Sequence, residues 1–208
     1  MMDNMLKFYN STEPNYKRKV MQNKGCRGFT ELVTLSPYLD LGKGIIVDFM
    51  HNGLLGVTRT LTTTLLESFR KVYYLGEPEK KSVINGRLTV IKVPTSISRT
   101  PREVKYVRKW KASEWRMFLM FYGLLCFDGI LPQKYFVHFA MLSSAFYMLL
   151  QKSVAVADLQ KTHRYLRQFV FLNQEYYGKA SMVYNIHQLL HVSEGAKNWG
   201  PLWGPNTS

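Results

Sequence analysis

Between residues 104 and 194 the sequence is cut into helix-length pieces by glycine and proline, and within each piece apolar residues return every three or four positions. A chain with that spacing buries one stripe per helix and has few ways to do so other than a helical bundle. The punctuation sets the expected bounds. A first run covers about 104–127, with Ser113 as a cap of its apolar half and Gly129 and Pro132 after its end. A second covers about 132–151 with Pro132 at its first position, where helices favour proline. A third covers about 154–176, capped by Ser153, with Asp158 near its positive end and Gly178 closing it. Its expected face is Val156, Leu159, His163, Leu166, Phe169 or Val170, and Asn173. A fourth covers about 181–194, with Gly195 to stop it.

Upstream, the same spacing recurs from Asp48 through Met50, Leu54, Val57, Leu61, Leu65, Phe69 and Val72, with Gly76 and Pro78 as the stop. The threonines at 62–64 are poor helix formers inside that stripe. Asn85-Gly86 is a turn signal and "RLTVIKV" reads as a short strand, so the expectation near 84–100 is a long loop or a short strand. The fold class is therefore mainly α, a bundle of about five helices. Residues 1–27 are polar and basic and read as an arm, and 28–208 as a single helical domain. The longest apolar runs, "MFLMFYGLLCF" and "YFVHFAMLSSAFYMLL", fall short of the ~18 residues that span a bilayer, so no membrane partner is expected. Cys26 and Cys126 stand far apart and form no disulfide framework, which fits a reducing compartment.

Charge points to a partner. The formal net charge is +14. An excess of that size repels itself unless a polyanion neutralises it, and nucleic acid is the usual one. The excess has a local focus in "RTPREVKYVRKWKASEWR", residues 99–116. Arg99, Arg102, Lys105, Arg108, Lys109, Lys111 and Arg116 face only Glu103 and Glu114 there. Tyr106, Trp110 and Trp115 are interleaved. Cations bind phosphates and aromatics stack on bases, so this segment is the candidate nucleic-acid patch. The competing reading makes the aromatics core and the charges its wet side.

Two histidine-bearing stretches carry the other candidates. In "NIHQLLHV", His187 and His191 are one helical turn apart and can pinch a Zn²⁺ ion if two further ligands come from elsewhere; the alternative is a pair of buried histidines bonded to carbonyls. In "DFMHNGLLG", Asp48 and His51 fall on the first turn of a helix. That carboxylate can orient the imidazole, help hold a divalent cation, or act as an N-cap.

Taken in order, "DFMHNGLLGV", "RTPREVKYVRKWKASEWRMFLMFYGLLCFDGILP" and "YGKASMVYNIHQLLHVSEGAKNWGPLW" resemble the C-terminal half of CACTA (En/Spm-type) transposases over roughly residues 25–204. The resemblance implies a DNA-cutting and joining enzyme with an RNase H-like core, whose acidic residues hold Mg²⁺ or Mn²⁺ and whose earlier acids are separated from a final glutamate by a helical insertion. It implies that His187 and His191 are the histidine half of a zinc site completed by an upstream Cys-x-x-Cys, that Asp48 and His51 are the family's Asp-x-Met-His pair, and that the protein works in the nucleus. After "GPLW" the family runs on to a glutamate, whereas this chain reads "GPNTS". The expectation is a transposon-derived fragment that binds DNA and is catalytically incomplete. The alternatives are a metal-dependent nuclease with Asp48 and His51 in its site, acting as a homo-oligomer or with a second transposase-like chain, and a protein-interaction module or non-functional remnant.

Overall fold

The structure, a computed structural model, describes residues 47–92, 100–200 and 202. The arm at 1–27, residues 28–46 and Arg99 lie outside them. The described residues are helical with no strand among them. A π-helical segment, Phe49–Thr58, runs straight into α1, Arg59–Glu67. After α2, Pro78–Val90, and a 3-10 segment, Val104–Lys109, come α3, Ala112–Met117, a π turn, Phe118–Tyr122, and α4, Gly123–Phe127. Two long helices, α5, Gln133–Leu149, and α6, Val156–Tyr177, lead through a 3-10 turn to α7, Tyr184–Trp199. Helix α5 packs on α6, α6 on α7, and α7 back on the π-helical segment. None of the described helices is long and apolar enough to cross a membrane.

An aromatic core holds the pieces. Trp115, Phe118, Phe127, Phe139, Phe146 and Phe169 are fully buried. Phe118 meets Phe127 and Phe139 edge to face at centroid distances of 5.5 and 6.2 Å, and Phe127 meets Phe139 at 5.1 Å. Edge-to-face pairs of this kind add to what burial alone contributes. On α6 the expected face is largely the buried one: Leu166, Phe169, Val170 and Asn173 are buried, joined by Thr162. Val156 is exposed, and His163, also exposed, reaches Ser193 Oγ on α7 from Nδ1 at 3.0 Å.

Of the long loop or short strand expected near 84–100, residues 93–99 lie outside the described residues and 84–90 are instead part of α2. Pro78 starts it, and Ile84 and Leu88, one turn apart, are buried at 0 and 2% exposure. Tertiary burial at helical spacing overrides the β-branched composition. Asn85-Gly86 makes no turn; the Asn85 Oδ1 accepts the backbone N–H of Val104 at 2.9 Å and docks the following segment. Gly86 sits mid-helix with no heavy atom within 4 Å of where a Cβ would stand. Gly86→Ala is therefore expected to raise stability by about 0.5–1 kcal/mol, read as a higher urea midpoint at unchanged m.

Other boundaries move for local reasons. The first stripe ends at Glu67 rather than at 75, and Phe69 and Val72 are exposed. The chain reverses through Arg70, at φ 65°, and the backbone N–H of Leu75 returns to the Leu65 carbonyl at 2.7 Å. Tyr73 and Leu75 take the buried places that the spacing assigns to Phe69 and Val72. The threonine run stays helical inside α1. The run expected at 104–127 breaks at Trp110–Lys111, and Ser113 is not its cap: the Glu114 carboxylate accepts the Lys111 backbone N–H at 2.7 Å. Ser153 does not cap α6, which begins after Ala155. Gly195 is buried inside α7, which ends at Gly200, where φ is 89°.

Candidate functional site

The basic segment folds so that its cations and its aromatics part company. In a tight 3-10 turn the apolar Val104 and Val107 turn inward, and Trp110 follows them. Trp110 and Trp115 are 7 and 0% exposed and lie against each other and Phe118, at centroid distances of 4.9 to 6.2 Å. The tryptophans are core, so the expectation that they stack on bases is corrected. Lys105, Arg108, Lys109 and Lys111 are left on the exposed side.

These cations are not equivalent. Arg102 is spent on structure: its Nε and Nη2 hold the two oxygens of the buried Glu114 carboxylate at 2.5 and 2.8 Å, and Nη2 also reaches the Lys109 carbonyl. Lys105 pairs with Glu103 at 3.1 Å, and its Nζ stands 5.0 Å from the Tyr106 ring centroid. Arg108 grips Glu67 of α1 through Nε and Nη2 at 2.8 to 3.0 Å. Lys109 and Lys111 are exposed and pair with no carboxylate among the described residues. Arg116 is half-buried, and burial lowers its pKa.

The Arg108–Glu67 contact joins segments 41 residues apart, and both residues line a groove of about 530 Å³ along α1. Hydroxyls of Thr60, Thr63, Thr64 and Ser68 line it, with Arg59 beside them. Thr60, Thr63, Thr64 and Glu67 recur every three or four residues, which is the polar face of an amphipathic helix. That spacing is the signal in the sequence for this groove.

The two histidine stretches meet elsewhere. Asp48 caps the π-helical segment: its Oδ1 accepts the backbone N–H groups of Met50 and His51 at 2.7 and 3.2 Å, and its Oδ2 lies 2.6 Å from His51 Nδ1. A carboxylate only accepts, so Nδ1 carries the proton. Partial burial pushes the Asp48 carboxyl up, but the bonds from the His51 ring and from the His51 and Met50 backbone outweigh it and hold it below its ordinary value. The next residue, Asn52, is 4% exposed and reaches α7, donating from Nδ2 to Gln188 Oε1 at 2.7 Å and to the Asn185 carbonyl at 3.2 Å. Gly56 makes that contact possible, because a Cβ there would stand 2.5 Å from Asn185 Nδ2.

His187 and His191 lie on α7 with rings edge to face, centroids 5.4 Å apart. Both are exposed, which corrects the reading of them as buried histidines bonded to carbonyls. Their neighbours at the core are Ile186, Leu189 and Val192. Among the described residues no three or more of His, Cys, Asp and Glu come together as a metal site. The two imidazoles can supply at most half of a tetrahedral zinc shell.

Comparison with protein-family models, with curated proteins and with solved structures finds no match to this chain.

Proposed function

We propose that this chain is a helical DNA-binding module of transposase descent that does not cut DNA by itself. One observation carries the binding part. Within eight residues, the 3-10 segment and its exit put Lys105, Arg108, Lys109 and Lys111 on the outside while Val104, Val107 and Trp110 anchor it from within. An outward-facing row of cations, of which Lys109 and Lys111 pair with no carboxylate among the described residues, on a chain of net charge +14 is suited to a phosphate backbone. The assignment of descent rests on the order of the three motifs, and nuclear localisation follows from it.

Catalysis is not part of the proposal, because the Asp48 carboxylate is engaged with its own helix start and with His51. Strand transfer on this reading requires carboxylates, with Mg²⁺ or Mn²⁺, from a second chain. A Zn²⁺ ion on His187 and His191 likewise requires donors from outside the described residues.

A gel-shift titration across salt tests the binding. The chain is expected to retard duplex DNA at low ionic strength, with affinity falling steeply as salt rises. The double variant Lys109→Gln, Lys111→Gln should weaken binding about equally for unrelated sequences and reduce the log–log salt slope by about two. Absence of retardation at low salt rejects the module.

A further inference from the structure

Beside the groove stands an exposed loop whose chemistry differs from that of the basic row. Phe69 follows Ser68, a groove-lining residue, and is 67% exposed. The guanidinium of Arg70 lies over its ring at 5.3 Å, and Lys71 is exposed next to it. Tyr74 supports the ring edge to face, with centroids 5.7 Å apart. The loop is tightly wound. Phe69 N–H donates to Glu67 O, Lys71 N–H to Ser68 O and Tyr74 N–H to Lys71 O, at 2.9 to 3.1 Å. Arg70 occupies left-handed backbone at φ 65°, which a non-glycine residue rarely adopts. A large aromatic is thus held in water, away from the core that its spacing in α1 would have joined.

A second ring has the same dress. Tyr106 is 42% exposed under Lys105, on the 3-10 segment that Arg108 ties to Glu67. The groove ends at Ser68, next to Phe69, and carries Arg59 together with Arg108, which Glu67 holds. A groove bearing arginines beside an exposed aromatic ring is suited to single-stranded nucleic acid, with phosphates in the groove and an unpaired base on the ring. In duplex the faces of the bases are occupied by their neighbours, so a protruding phenylalanine has a partner only where a base is unstacked.

We infer that the Phe69–Lys71 loop and the Arg59–Arg108 groove form a single-strand binding site, with Phe69 as the base-stacking platform. This rests on the DNA-binding reading above and makes the preferred partner a strand with unpaired bases. Phe69 lies outside the hydrophobic core, so its removal tests recognition rather than folding.

The test uses the full chain with a single-stranded oligonucleotide carrying 2-aminopurine and with the same sequence as duplex, read by anisotropy and by 2-aminopurine emission. Phe69→Ala should weaken single-strand binding about tenfold and duplex binding by less than about twofold, while Phe69→Tyr retains the single-strand affinity. The 2-aminopurine emission should be quenched on binding by the wild type and the tyrosine variant and not by the alanine variant. Arg70→Gly, which suits φ 65°, keeps the loop and removes one cation, so the single-strand salt slope should fall by about one. If the chain binds duplex and Phe69→Ala changes both affinities alike or neither, the single-strand site is wrong and the module stands. If no nucleic acid binds, both are wrong.

Discussion

Phe139→Ala is expected to lower the unfolding free energy by about 3–5 kcal/mol, enough to leave a chain of this size near its folding threshold. Phe139 is fully buried on α5 and packs edge to face on Phe127 of α4 and on Phe118 of the π turn. Two short elements, α4 and the π turn, thus depend on one side chain of α5. Truncating it removes the transfer free energy of the ring and leaves a cavity walled by rigid aromatics that relax poorly. Urea denaturation at neutral pH measures the effect. Phe171→Ala, at a residue 74% exposed on α6, is the control and should fall within about 0.5 kcal/mol of the parent. A loss below about 1.5 kcal/mol at Phe139 would mean that the aromatic core is not organised as described.

The second large effect is a fall in stability as pH drops from about 6.5 towards 4. His138 is completely buried on α5. Its ring stacks on Phe169 with centroids 4.0 Å apart, and its Nε2–H donates to the Phe169 carbonyl at 2.9 Å. The rings of Tyr176 and Tyr177 close the remaining sides. Burial opposes the charged form and outweighs the Phe169 carbonyl, which favours it, so the imidazole is pushed from 6.5 down to about 4. With the folded value depressed, the unfolded chain binds the proton first on acidification. The full contribution is present above 6.5, and it is lost as pH falls to about 4. At 1.36 kcal/mol per unit, the loss is on the order of 3 kcal/mol. Urea midpoints collected across that window measure it. In His138→Gln, whose amide can still donate to Phe169, this part of the slope should vanish; a slope identical to the parent's would show that the proton binds elsewhere.

How much of this the sequence carries depends on the range of the interaction involved. The helical class follows from spacing alone, because period 3.6 is a property of neighbours within one turn. So does the buried face of α6, read from Leu166, Phe169 and Asn173. Asp48 as a helix cap follows too, since its partners, Met50 and His51, are two and three residues away. The row of exposed cations at 105–111 is visible as composition, and which of them are neutralised is not. Glu114, which holds Arg102, is 12 residues from it, and Glu67, which holds Arg108, is 41 away.

The sequence by itself determined the helical class, the Asp48 cap and a net charge of +14. Tertiary structure decided what those elements face. It turned "INGRLTV" into helix by burying Ile84 and Leu88, sent the tryptophans of the basic segment inward, and left Phe69 and His187 in water. It also brought Asn52 to Gln188 across 136 residues. The reason is the same in each case. Periodicity and capping act over a few residues, whereas burial and ion pairing are settled by which distant segment closes over a given face.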